Sequence, residues 1–397
     1  MTTSNRFTYL VIPLFIGFIT SCQSTPNKQL DAPPNISQNQ KFTVISVETE
    51  TEIFELNDDI KQQLTTAFPA NKRNLRSTRK LLQFLLDNGD ASLSYQSGAT
   101  LIANQAYNDL NANCLSLSIL AYSMADFLGM HSQFQQVHIP EYWALNKGYN
   151  LLTGHINLRV SPPRNSGSNI SYVYTAENSL VVDFDPNSRS EKFKTSAISK
   201  TRITAMFYNN KGVAAMLKKQ HNTAYSYFLA ATKADPLYSG AWGNLAVFLR
   251  IHNQLNNAEL AYNHALAIDE NNNTALGNLA LLYRITERHD QADKILTMLD
   301  KKRQANPYYH ISLGHTAYHN KAYQDAIKHY SKAKRLDNQI HDSYFGLART
   351  YFQLGDLKHA NKQLRLANKH ANFAHDKKRY QLKLTTLSNM TAKVDGY

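Results

Sequence analysis

The residue pattern of the C-terminal half repeats every 34 positions, and this repetition restricts the fold more than any other property of the chain. With units starting at 205, 239, 273, 307 and 341, alanine recurs at Ala224, Ala258, Ala292, Ala326 and Ala360. Four residues on stand Phe228, Tyr262, Leu296, Tyr330 and Leu364, and three further on Ala231, Ala265, Leu299, Ala333 and Ala367. Earlier in each unit a small residue recurs: Gly212, Ala246, Ala280, Gly314 and Ala348. Spacings of three and four put such residues on one helix face. Small residues let two helices cross closely, and large ones fill the neighbouring holes. One helix pair cannot bury its apolar face alone, so the units must stack. The expected C-terminal part is an all-α solenoid of five helix pairs over 198–374, closed by a capping helix within 375–397.

These offsets resemble the tetratricopeptide repeat. The resemblance implies a concave groove, lined by the first helix of each unit, that holds a protein or peptide. Two residues before the recurrent small one stand Asn210, Asn244, Asn278, Ser312 and Gly346. Asparagine amides both donate to and accept from an extended backbone. Arg250 and Arg284 lie six residues after Asn244 and Asn278 and favour an acidic or carboxylate-ended segment. Asn210, Asn244, Asn278, Arg250 and Arg284 are therefore the expected partner-binding residues. Pro236 is the only terminal proline at the family's usual place, and Leu299 stands where alanine is usual, which bears on the angles between repeats.

The N-terminus has a different character. Arg6 precedes an apolar run from Tyr9 to Ile19, followed by Thr20, Ser21 and Cys22. The run is short for a membrane span and suits the apolar part of a signal peptide. Ile19-Thr20-Ser21-Cys22 resembles a bacterial lipoprotein signal. That resemblance implies a signal peptide over 1–21, lipidation of Cys22 and a membrane anchor made of acyl chains. Gln23 rather than aspartate after the cysteine implies the outer membrane, with the protein facing the periplasm of the cell envelope. Residues 22–41, polar and containing Pro26, Pro33 and Pro34, read as a flexible tether. The chain has two cysteines, so a lipidated Cys22 leaves no intramolecular disulfide. The net charge of +13 is scattered and suits anionic envelope surfaces; nucleic acid is not an expected partner.

Residues 42–195 do not repeat, and a chain of 397 residues has room for this second domain. Phe42–Val47 and Thr51–Phe54 read as short strands, Asn74–Leu86 and Ala99–Asp109 as helices. Cys114 opens a run that is apolar nearly all round to Met130, which predicts a buried helix. Strand-like segments follow at Ser132–Val137, Asn150–Val160, Ser171–Thr175 and Leu180–Phe184, with a turn-rich loop at 161–168. His155 lies in the second of these and shares a strand face with Asn157 and Arg159; Asp183 and Asp185 share a face of the last. A thiol at a helix N-terminus is favoured as thiolate, and a histidine held by a carboxylate can serve it as base. The candidate catalytic set is Cys114, His155 and Asp183. Asp183 lies deeper in the apolar run, and Asp185 remains the alternative. The Cys114 backbone N–H is an expected oxyanion donor, with Gln105 a side-chain candidate. Trp143 reads equally as cleft wall or core. No clustered metal ligands and no glycine-rich phosphate loop are visible, so neither metal nor cofactor is expected.

Asn113-Cys114-Leu115-Ser116-Leu117, Leu128-Gly129-Met130, Pro140 with Trp143, Gly154-His155-Ile156-Asn157-Leu158 and Val182-Asp183-Phe184 together resemble the transglutaminase-like domain, a permuted relative of papain-type cysteine hydrolases. The resemblance implies an α+β papain-like fold and a Cys-His-Asp acyl-transfer reaction on an amide, ending in hydrolysis or transamidation. A folded but catalytically idle scaffold joined to the solenoid is the other reading.

Overall fold

Regular structure starts at a capping box. The Thr49 side chain accepts from the Glu52 N–H, and the Thr49 N–H donates to the Glu52 carboxylate at 2.7 Å. This box makes Glu50–Phe54 a helix, α1, and overrides the strand expected there from β-branched and aromatic residues. The computed structural model describes residues 32–36, 41–69, 80–81, 94–95, 100–109, 111–138, 155–161, 179–184, 194–371 and 374–394. The expected helix at Asn74–Leu86 lies outside them except at 80–81, and the expected strand at Ser171–Thr175 and the loop at 161–168 lie outside them but for Ser161. Helix α2, Asp58–Ala67, is capped by the Asn57 side chain. The two-residue strands β1, Ser94–Tyr95, and β2, Asn111–Ala112, pair in parallel, with α3, Ala103–Asp109, between them in sequence.

Helix α4, Cys114–Phe127, follows. It stops where Gly129 adopts φ 66°, a conformation that costs glycine nothing. The Gly129 and Met130 N–H groups then donate to Asp126 and Ala125 and satisfy the helix end. Four antiparallel strands form a sheet in the order β5-β4-β3-β6: β3, His131–Val137; β4, His155–Ser161; β5, Leu180–Val182; β6, Thr195–Ala197. Phe134 pairs with Leu158, and Leu158 with Val182. Leu117, Leu120 and Met124 of α4 share one buried core with Phe134, Ile156 and Leu158 of the sheet. The same core contains Phe207, Tyr208, Ala231 and Ala241, so the α+β part and the start of the solenoid are packed as one block.

The solenoid consists of α5 (Lys200–Leu217) with α6 (His221–Ala234), α7 (Ser239–Ile251) with α8 (Leu255–Ile268), and α9 (Asn273–Ile285) with α10 (His289–Gln304). Then come α11 (Pro307–His319) with α12 (Tyr323–Leu336), α13 (His341–Gln353) with α14 (Leu357–His370), and α15 (Ala374–Val394). All five recurrent alanines are buried, as crossing points must be. Repeat 3 deviates. Leu299 takes the buried alanine position, Leu296 is 38% exposed, and α10 has 16 residues where the other second helices have 14. The buried cluster of the first three repeats ends at Ala292, and a separate one contains Ile311 and Tyr330. A bulkier Leu299 at the crossing thus coincides with a break in the core. Among the described residues no helix is long and apolar enough to cross a membrane.

Each turn inside a repeat passes through a left-handed residue: Lys219, Asn253, Glu287 and Lys321 have φ 61°, 60°, 59° and 60°, and Gly355 has φ 77°. For a side chain other than glycine or asparagine this conformation costs roughly 1–2 kcal/mol. Glu287 also sets a negative charge at the C-terminal end of α9, where the helix dipole disfavours it. Glu287→Gly is therefore expected to raise stability by about 1 kcal/mol, seen as a melting temperature about 2–4 °C higher. An unchanged or lower melting temperature would refute the strain argument.

The end of the expected tether is not free. Ile36 is 3% exposed within the core of the first repeats, and the Tyr225 hydroxyl donates to its carbonyl at 2.8 Å. Phe42 packs among Tyr225, Phe248 and His252, with ring centroids 5.3, 5.0 and 5.0 Å away. The Thr43 and Ile45 N–H groups donate to the Asn222 and Ser226 side chains. The expected strand at Phe42–Val47 is thus an extended strap whose backbone is satisfied by helix side chains instead of a sheet partner. Glu48 ends the strap between the Tyr227 hydroxyl, 2.7 Å, and Lys211, 3.2 Å.

Candidate functional site

Cys114 is the first residue of α4, partly buried against the α+β core. A buried network fixes the helix start beneath it. The Asn113 carboxamide oxygen accepts from the Ser116 N–H at 2.9 Å and the Ser116 hydroxyl at 3.0 Å. The Asn113 amide donates to the Thr100 hydroxyl at 2.8 Å, and the Leu101 N–H donates to Ser116 Oγ at 2.8 Å. The segment 100–101 is thereby tied across the N-terminus of the helix. This carboxamide cap was legible as Asn-x-x-Ser, an N-cap residue three before a hydroxyl, but the sequence alone does not bring Thr100 to it. The Cys114 N–H belongs to the helix start, where N–H groups have no intrahelical acceptor.

Helix α4 packs on β3 and β4, and β4 pairs with β5. His155 is the first residue of β4, opposite Val137, and its side chain lies outside the described part of the structure. Asp183 directly follows β5 and is half-buried. The three candidates thus stand at the ends of three neighbouring elements. Asp185, Trp143 and Cys22 lie outside the described residues. Gln105 is exposed on α3.

The expected partner-binding residues of the solenoid differ from an open acid-binding groove. Asn244 is 1% exposed and its amide donates to Asn209 Oδ1 at 3.0 Å; Asn278 is 4% exposed and donates to the Thr274 carbonyl. Both asparagines are packed between helices, because first helices of neighbouring repeats close over this row. Asn210 is half-buried. Arg284 is paired with Asp293. Arg250 directs Nε to the Tyr262 hydroxyl at 3.5 Å. The sequence pattern located the row and its period but not which neighbours close over it.

The sequence model of the Tetratricopeptide repeat family matches residues 207–236 and 341–369. No curated protein matches. Among solved structures, one of Pseudomonas aeruginosa pilF is 18% identical over 50% of this chain and 88% of its own, with a TM-score of 0.26. The Cut9–Hcn1 structure of the APC/C is 17% identical over 48% of this chain and 37% of its own, at 0.25. YrrB, described as a TPR protein with an unusual peptide-binding site, is 14% identical over 45% of this chain and 91% of its own, at 0.24. The family match in the first and fifth units, with the helix pairs and buried alanines between them, identifies the C-terminal half as an array of tetratricopeptide repeats.

Proposed function

We propose that the chain is a lipid-anchored, transglutaminase-like cysteine enzyme of the bacterial cell envelope, with the repeat array holding its protein substrate or partner. The observation that carries this reading is Cys114 at the first position of a helix whose N-terminus is tied by Asn113, Thr100 and Ser116. The Ile19–Cys22 sequence supports the anchor. In the proposed reaction the Cys114 thiolate adds to an amide carbonyl, and the N–H groups of the helix start receive the developing oxyanion. The C–N bond breaks as His155, protonated by the thiol, gives its proton to the leaving amine. Water or a second amine then attacks the thioester and restores the thiol. Asp183 orients the imidazole.

A catalytically idle scaffold is the second reading, favoured by the family match, which falls within the repeat array at 207–236 and 341–369. Alkylation by iodoacetamide as a function of pH separates the two. The enzyme reading expects Cys114 to react at about pH 6, where an ordinary thiol of pKa ~8.5 is almost wholly protonated. His155→Ala should restore the ordinary profile. A wild-type profile that rises only toward pH ~8.5, unchanged in His155→Ala, would establish the scaffold.

A further inference from the structure

First helices of successive repeats approach each other, α5 with α7, α7 with α9 and α11 with α13, while second helices of successive repeats stand farther apart. The first helices therefore line the inner side of the array. One inner row, read at the 34-residue period, runs Val213, Val247, Leu281, His315, Arg349 and Lys383. Its chemistry changes from aliphatic to polar at the same repeat junction where the buried core breaks, first with His315, whose pKa burial and the Arg349 charge hold below its ordinary value, and then with the cations Arg349 and Lys383.

In the second half of this row the cations rest on aromatic rings. The Arg349 guanidinium lies 4.1 Å from the centroid of Tyr318 on the neighbouring first helix, and Nη2 donates to the Tyr330 hydroxyl at 2.6 Å. Its Nε is buried with no acceptor, and Arg349 pairs with no carboxylate among the described residues. One helix on, Phe345 lies beneath Arg379 at 5.2 Å and Lys383 at 6.0 Å. The nearby carboxylates are Asp376, bonded to Arg379 at 3.0 Å, and Asp342, 3.5 Å from His341. Neither is paired with Arg349 or Lys383. A half-buried guanidinium on a ring, lacking a carboxylate, is electrostatically incomplete.

We propose that this stretch of α11, α13 and α15 binds an acidic segment of an extended polypeptide. Arg349 and Lys383 take its carboxylates, and Tyr318 and Phe345 support the chain between them. Exposed Leu281 and Ile285, in repeat 3, take apolar residues of the same segment. The proposal rests on the reading of the array as the arm that holds a partner, and names what it holds. Charge complementarity selects the anion. Placement on the inner side, between adjacent first helices, suits a single chain and not a flat bilayer.

The test uses the full-length protein made soluble by Cys22→Ser. Fluorescence anisotropy would compare a fluorescein-labelled peptide, leucine-rich in one half and glutamate-rich in the other, with its glutamine-for-glutamate analogue. The wild type is expected to bind the glutamate peptide at least tenfold more tightly, with an affinity that falls as salt rises. Arg349→Gln with Lys383→Gln should bind the two peptides alike. Lys383→Gln alone, at an exposed position, should lose about threefold and guards against a folding defect in the double variant. Equal binding of both peptides by the wild type, or discrimination retained in the double variant, overturns the acidic assignment and leaves the arm a binder. Binding of neither peptide overturns the assignment and the arm reading with it. Loss of phosphatidylglycerol-vesicle binding in the double variant, without peptide binding by the wild type, transfers the row to a lipid. The pH profile of Cys114 alkylation is independent of all these outcomes.

Discussion

Gly346→Ala is expected to destabilise repeats 4 and 5 by about 2 kcal/mol, although alanine within a helix is normally better than glycine by up to about 1 kcal/mol. An added Cβ would lie 2.5 Å from Cδ1 and 2.6 Å from Cζ of Tyr330. The ring has no room to withdraw. It is fully buried, a Cβ on Gly314 would meet it at 2.7 Å, and its hydroxyl is held by Arg349. Repeat arrays are stabilised by neighbouring interfaces, so the loss should stay on its own side of the core break between Ala292 and Ile311. Hydrogen exchange should show lower protection in α11 to α14 and unchanged protection in α5 to α8. Equal protection throughout, or a loss spread over all repeats, would contradict the two-glycine clamp on Tyr330.

How much was legible follows from which signals are local. The 34-residue period is a packing signal repeated five times, and it fixed the solenoid's helices because every small residue needs a neighbour to close on. The Cys114 helix was legible from its apolar run, and its end from Gly129. Thr51–Phe54 was misread as strand, while the capping box, only four residues long from Thr49 to Glu52, favoured helix. The surroundings of the partner-binding row were illegible for a different reason. Asn244 has the right period, but its burial depends on Asn209 from the preceding repeat, a contact that no single unit contains. The cationic row was missed because it becomes visible only when the register is continued past the fifth repeat into α15, where Lys383 stands 34 residues after Arg349. For the candidate catalytic set, the sequence supplied residue types and order, and the structure adds the Asn113–Thr100 tie that no motif encodes.

The strap gives the other large effect. Ile36→Ala with Phe42→Ala is expected to cost about 3 kcal/mol, since Ile36 is buried in the solenoid core and Phe42 fills an aromatic recess. Because the α+β part and the first repeats share a core, the whole N-terminal block should melt about 6–12 °C lower. The strap should also loosen with acid, in two steps. His252 holds Lys41 through its carbonyl at 2.8 Å, its Nδ1 bonds the Phe248 carbonyl, and its Nε2 faces His221 Nδ1 at 2.9 Å. Burial lowers the His252 pKa, and the His221 and Lys41 charges act in the same direction. The folded state therefore prefers the neutral ring, and its contribution is complete above the ordinary value of 6.5 and declines as pH falls below it. Burial raises Glu48, but the Tyr227 hydroxyl, the backbone and Lys211 outweigh it and hold the carboxyl below its ordinary 4.5, so a second loss begins as pH falls past that value. The Ile45 amide, which donates to Ser226, reports the strap directly. Corrected for intrinsic rates, its exchange should rise below pH 6.5 in the wild type and only below about 4.5 in His252→Gln. Identical profiles in the two proteins would show that the histidine pair does not hold the strap, and would leave that to Ile36, Phe42, Glu48 and the bonds to Asn222 and Ser226.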